Sequence, residues 1–133
     1  MTGSALLTAC GRSQQPEVID ERHLIGMTLG DARLEREVLQ LFLSQAALML
    51  DRAGTASSTS AAAAAHTLKG SARSIGAWRL ARAAESFEQS VANAEEVQIK
   101  EALSELRAAC FEAGAAIAAR LDRSSSSGQE SDR

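Results

Sequence analysis

Residues 95–121 read EEVQIKEALSELRAACFEAGAAIAARL. Ile99, Leu103, Leu106, Cys110, Ala113, Ile117 and Leu121 recur there at spacings of four or three, which place them on one face of an α-helix. Such a stripe needs other helices to cover it, and the sequence supplies them upstream. Leu80, Ala84, Phe87 and Val91 predict a helix over about 77–93, and Ala61, Ala65, Leu68, Ala72 and Ile75 predict another, capped by one of Ser57 to Ser60. Leu34, Val38, Leu41 and Leu48, with Leu39, Phe42 and Met49, give a wide apolar face to a helix over about 32–52, with Asp31 as its N-cap and Gly54 as its stop. A short helix over about 21–27 precedes it and is closed by Gly30. Gly76 makes the turn between the two middle helices so short that they must be antiparallel neighbours. The expected fold is all-α: an antiparallel up-and-down four-helix bundle with a short additional N-terminal helix.

Composition agrees with close-packed helices. The 133 residues hold three Phe, one Trp, no Tyr and a single proline, while alanine is abundant. This length fits one domain, expected over residues 16–122, with a loose arm at 1–15 ended by Pro16 and a serine-rich, disordered tail at 123–133. The net charge of −3 is mixed along the chain and gives no basic footprint for nucleic acid. No apolar stretch approaches the roughly 20 residues that span a bilayer. Cys10 and Cys110 form neither a disulfide framework nor a metal-ligand pattern; Cys110 lies on the apolar stripe and reads as a buried thiol. Leu7-Thr8-Ala9-Cys10 resembles a lipoprotein cleavage box but lacks the basic start and apolar run of an export signal, so a cytoplasmic protein is expected.

The chemistry concentrates in Ala65-His66-Thr67-Leu68-Lys69-Gly70-Ser71-Ala72. Ala62, His66, Lys69, Gly70 and Arg73 share a stripe rotated away from the buried one, so His66 is expected on the solvent side. Imidazole titrates near physiological pH, and its neutral form is a nucleophile. Lys69, one turn on, can set its ammonium beside the ring. Gly70 costs a helix about 1 kcal/mol relative to alanine, which suggests that this face must stay bare for a bulky anion or an approaching active site. A reactive histidine with a nearby cation and a cleared approach points to a phosphohistidine.

His66-Thr67-Leu68-Lys69-Gly70-Ser71-Ala72, followed by Gly76-Ala77, resembles the signature of histidine-containing phosphotransfer (HPt) domains. The resemblance extends from about Glu17 to Leu121 through Val18-Ile19-Asp20, Leu29-Gly30-Asp31 and Leu41-Phe42-Leu43. It implies a phosphorelay intermediate that takes a phosphoryl group on His66 from one receiver-domain aspartate and passes it to another. It also implies that Lys69 is a donor to phosphate oxygens. The partners would be the receiver domains of a hybrid sensor kinase and of a response regulator. The chain would need no cofactor, because Mg²⁺ would sit in the receiver, and it would be a phosphoryl carrier rather than an enzyme, working as a monomer.

Other residues carry weaker expectations. Arg73 lies about 10 Å along the axis from His66, where its fork could reach phosphate, meet an acidic partner or stay a solvated surface charge. Folding the helices antiparallel brings residues 84–88 alongside His66. Glu88 is the expected acceptor for the His66 Nδ1 proton, with Glu85 as its rival; the resemblance gives the same orienting role to Glu88. His23 has no metal-ligating companions. In the family the short N-terminal helix borders the histidine, so His23, Met27 and Ala62 are candidate receiver contacts. The main alternative is a helical adaptor or inhibitor that docks a kinase or receiver without being phosphorylated; a histidine-phosphorylated input module of a larger kinase is another. The intact His66-x-x-Lys69-Gly70 pattern favours the relay.

Overall fold

A computed structural model describes the backbone of residues 18–55 and 57–131, and side chains as far as residue 123. The expected arm and Cys10 lie outside the described residues. Among the described residues five helices follow in order: α1 (Glu21–Met27), α2 (Ala32–Thr55), α3 (Ser58–Ile75), α4 (Trp78–Asn93) and α5 (Glu96–Ser131). The four long ones form the expected bundle, with α2 beside α3, α3 beside α4, α4 beside α5 and α5 beside α2, while α1 lies against α3.

Local chemistry sets most boundaries. Asp31 accepts from the amides of Arg33 and Leu34 at 2.9 and 3.1 Å and caps α2. Ser57 is the serine that caps α3, accepting from the Ser60 amide. Gly76 ends α3 in the left-handed region at φ +80°, with its own amide bonded to the Arg73 carbonyl and the Ala77 amide to the Ala72 carbonyl. Two expected ends move. Helix α2 runs through Gly54 to Thr55, and the glycine does not stop it: a Cβ there would stand 2.8 Å from Arg107 Nη2 on α5, the end of an exposed, flexible side chain that can move aside. Helix α5 continues past Leu121 to Ser131, where a disordered tail was expected. No proline interrupts residues 122–131, and each residue added to an existing helix closes one more backbone hydrogen bond.

The core is small-grained. Phe42, Leu39, Leu68, Ile75, Leu80, Phe87, Leu106 and Ile117 are buried among many alanines, including Ala61, Ala65, Ala72, Ala81 and Ala84. The α3 stripe is buried as its spacing predicts. The α2 stripe is corrected: Leu34, Leu41 and Leu48 are exposed, and Leu39, Phe42, Ala46 and Ala53 face the core. The apolar arc of α2 is wider than the seam its neighbours can cover, so which part is buried depends on where α3 and α5 lie.

Helix α1 has only seven residues, too few to persist alone, and it is pinned from outside. The Asp20 carboxylate accepts from the His23 amide at 3.2 Å and from the Trp78 indole at 2.9 Å, and its amide donates to the Gly76 carbonyl at 2.9 Å. At the other side the Arg120 fork holds Glu35 of α2 at 2.7 and 3.2 Å and Glu21 of α1 at 2.8 Å. Gly76 is the tightest point, since a Cβ there would stand 2.8 Å from Asp20 Cβ and 3.0 Å from its carbonyl oxygen. Gly76→Ala should therefore lower stability by about 1–3 kcal/mol, combining a strained left-handed residue with a clash. Chemical denaturation measures this; a variant as stable as wild type would show that α1 is not held through this turn.

Candidate functional site

The middle of α3 and the second half of α4 meet across buried alanines, Ala65 on one side and Ala84 on the other. Their short side chains let polar groups at the seam's edge touch. His66 Nδ1 lies 3.1 Å from Glu88 Oε2, and Lys69 Nζ donates to Glu88 Oε1, also at 3.1 Å. One carboxylate thus serves both groups. Because an ionised carboxylate only accepts, the bond places the His66 proton on Nδ1 and leaves Nε2 with its lone pair. Nε2 has no hydrogen-bond partner among the described residues, and the His66 side chain is 67% exposed.

The electrostatics keep Glu88 charged. Burial pushes its carboxyl up, but the hydrogen bond and charge of Lys69, helped by His66, outweigh burial and hold it below its ordinary value of 4.5. Lys69 belongs to the stripe rotated away from the core, yet its side chain is only 15% exposed, because its ammonium is drawn to Glu88. The rival carboxylate has a different partner, with Glu85 Oε1 3.5 Å from Arg73 Nη2. The two acids are thus sorted, Glu88 to the imidazole and lysine, Glu85 to the arginine one turn further along α3.

Gly70 is exposed and helical, and a Cβ built on it would meet nothing within 4 Å. Nothing within the described chain requires a glycine there. Ala62, one turn before His66, is half-buried. Of the α1 candidates, His23 stands apart from this cluster. His23 makes an edge contact with Trp78, ring centroids 4.9 Å apart, near Gly76 and about 15 Å beyond His66 along the α3 axis. Met27 is 43% exposed, beside exposed Ile25 and Leu29. The Asp20–Trp78 bond was not anticipated; an aspartate opening a helix in sequence reads only as a cap. Among the described residues no group of three or more histidine, cysteine, aspartate or glutamate side chains could hold a metal ion, and no helix is long and apolar enough to cross a membrane.

Comparison with known proteins places this arrangement. The Hpt domain family model matches residues 31–126. Histidine phosphotransferase ShpA from Caulobacter crescentus is 32% identical, with 85% of this chain and 99% of that one covered and a TM-score of 0.69. Histidine-containing phosphotransfer protein B from Pseudomonas aeruginosa has a TM-score of 0.75 at 17% identity, covering 82% and 98% of the two chains. A histidine-containing phosphotransfer protein from rice gives 0.74 at 20% identity over 92% and 91%. No curated protein sequence matches. The chain belongs to the Hpt domain family.

Two measurements test the geometry. Gly70→Ala should stabilise the protein by up to about 1 kcal/mol, since the space is open and the backbone helical, whereas Gly70→Gln should slow phosphoryl transfer to His66 by crowding its approach. Thermal unfolding and transfer on the same variants decide; undiminished transfer in Gly70→Gln would defeat the clearance argument. Glu88, with a lowered folded value, stabilises the fold fully above 4.5 and loses that contribution as pH falls through the lower value. Glu88→Gln should flatten this acid limb of the stability profile, and a limb parallel to wild type would remove the linkage.

Proposed function

We propose that His66 is the phosphoryl acceptor through which this Hpt domain works as a phosphorelay intermediate. The observation that carries the reading is the Glu88 bond to Nδ1 on an exposed ring, which orients Nε2 outward as the nucleophile. In the transfer a bond forms between Nε2 and phosphorus as the bond from phosphorus to a receiver aspartate breaks, and that carboxylate keeps the electron pair. The imidazole retains its Nδ1 proton, and Glu88 offsets the positive charge that develops on the ring. Transfer onward reverses these events at a second receiver.

Little covalent work falls to the scaffold, so positioning and charge carry the reaction. Lys69 is placed to share its ammonium between Glu88 and the phosphoryl oxygens, and a charge-assisted bond to phosphate would offset the repulsion from Glu88. Arg73, held by Glu85, faces a partner's acidic rim or the phosphoryl group from further out. Gly70 keeps the approach open. Every group that this protein contributes to the account comes from the α3–α4 seam of one bundle.

The partners are phosphorelay proteins, and we assign them as the receiver domains of a hybrid sensor kinase and a response regulator in the cytoplasm. Mg²⁺ belongs to the receiver in this reading, and the carrier brings no cofactor of its own. Ala62, beside the histidine, and the exposed apolar surface of α1 around Met27, with His23 at its edge, supply receiver contacts. Incubation with a phosphorylated receiver should label wild type with acid-labile, base-stable phosphate and leave His66→Gln unlabelled. Equal label on both proteins would sink the assignment.

A further inference from the structure

Helix α1 is held along one line. Asp20, Leu24 and Thr28 are four residues apart and so lie on one side of it. Asp20 is tied to Gly76 and Trp78, Leu24 is wholly buried, and the buried Thr28 hydroxyl donates to the Leu24 carbonyl at 2.9 Å. A helix fixed along a single line can still roll about it. Ile25 and Met27 flank that line on opposite sides, 44% and 43% exposed, so a roll in either sense would cover one and lift the other. Leu29, just past the helix, is 87% exposed at φ +57°, a left-handed conformation unfavourable for leucine. Such a conformation persists only where its surroundings over-determine it.

The roll is stopped from α5. Arg120 donates from Nε and Nη2 to Glu35 at 2.7 and 3.2 Å and from Nη1 to Glu21 at 2.8 Å. The Arg120 and Glu35 side chains are 18% and 16% exposed, so this pair is largely shielded from water. A guanidinium fork has fixed N–H directions, and its two bonds to Glu35 leave Nη1 aimed at one place, which Glu21 fills. Glu21 lies off the buried line, on the same flank of α1 as Ile25. One cation therefore joins the first turn of α1 to the first turn of α2 and closes the hairpin whose tip carries Leu29. Its hydrogen bond and charge hold the Glu21 carboxyl below its ordinary value. All three contacts go to α1 and α2, so Arg120 is not part of the His66, Lys69 and Glu88 cluster.

We infer that Arg120 is a positioning residue for receiver docking: by holding Glu21 and Glu35 on one guanidinium it sets the roll of α1 and presents Ile25, Met27 and Leu29 together to the incoming receiver. The inference rests on the reading of α1 as a receiver contact. Arg120 acts only through α1, so it governs how tightly the receiver docks and leaves the transfer step itself alone. Its removal leaves two carboxylates that shared one cation to repel each other, which drives α1 away from α2.

Transfer from a phosphorylated receiver and labelling by phosphoramidate, a small donor that needs no docking surface, separate the two effects. Arg120→Gln should raise KM for the receiver by about tenfold, with kcat within about twofold of wild type and phosphoramidate labelling unchanged. Glu21→Gln leaves the Arg120–Glu35 pair in place and so serves even where Arg120→Gln does not fold; it should raise KM by about threefold. Because both act through one contact, the two substitutions together should raise KM no more than Arg120→Gln alone. A wild-type KM in Glu21→Gln, effects that multiply in the pair, or a loss of phosphoramidate labelling equal to the loss of receiver transfer overturns the inference. Ile25→Ala and Met27→Ala report on the reading beneath it. Raised KM in these two with a wild-type KM in Glu21→Gln removes Arg120 alone, whereas wild-type KM in all three removes α1 from the docking surface as well.

Discussion

The approach of α3 to α4 across alanine sets what the rest of this molecule can do. Ala61, Ala65 and Ala72 of α3 and Ala81 and Ala84 of α4 are buried in one core cluster with Leu68 and Phe87. Interaxial distance follows the side chains at the contact, within a range of about 8–10 Å. Short side chains at the contact favour the lower end of that range. Only then can a glutamate on α4 bond both a histidine and a lysine on α3 at 3.1 Å. Bulkier residues at Ala65 or Ala84 would part the helices and leave the carboxylate facing water, without reach to the ring.

That one carboxylate does three physical jobs. It fixes the imidazole tautomer, limits rotation of the ring and keeps the Lys69 ammonium beside the place where negative charge would arrive. Its ionised state follows from a contest in which burial opposes charge and two donors favour it, and the donors win. The pairing of Arg73 with Glu85 removes the competing acid from the imidazole. The cluster is therefore ordered before any partner arrives, while the reacting face stays exposed.

The two open seams have different characters because their edges differ. Polar side chains bridge α3 and α4, so that edge is chemical. Across the bundle α2 and α5 approach at Leu43 and Gly114, with Phe111 exposed, so that edge is an apolar groove with charged residues at its ends. Helix α1 belongs to neither seam. Asp20, Trp78 and Gly76 fix one side of it and Arg120 the other, which holds a seven-residue helix that has too few internal hydrogen bonds to stand alone.

Sequence by itself determined the helices of the described residues, the α3 and α4 core faces, the cap at Asp31, a cap for α3 within residues 57–60, the turn at Gly76 and the grouping of His66, Lys69 and Gly70 on one surface. Each of these depends on residues within a few positions of one another, where helical period and capping chemistry act directly. The choice of Glu88 over Glu85 was also within reach, because an antiparallel turn at Gly76 fixes which residues face each other. Tertiary structure alone decided the rest. The burial of Lys69 depends on a carboxylate nineteen positions away. The exposure of Leu34, Leu41 and Leu48 depends on where neighbouring helices settle against an apolar arc too wide to cover. The second role of Asp20 depends on an indole fifty-eight positions away. In each case local sequence offers several equivalent partners or faces, and only packing among all the helices chooses between them.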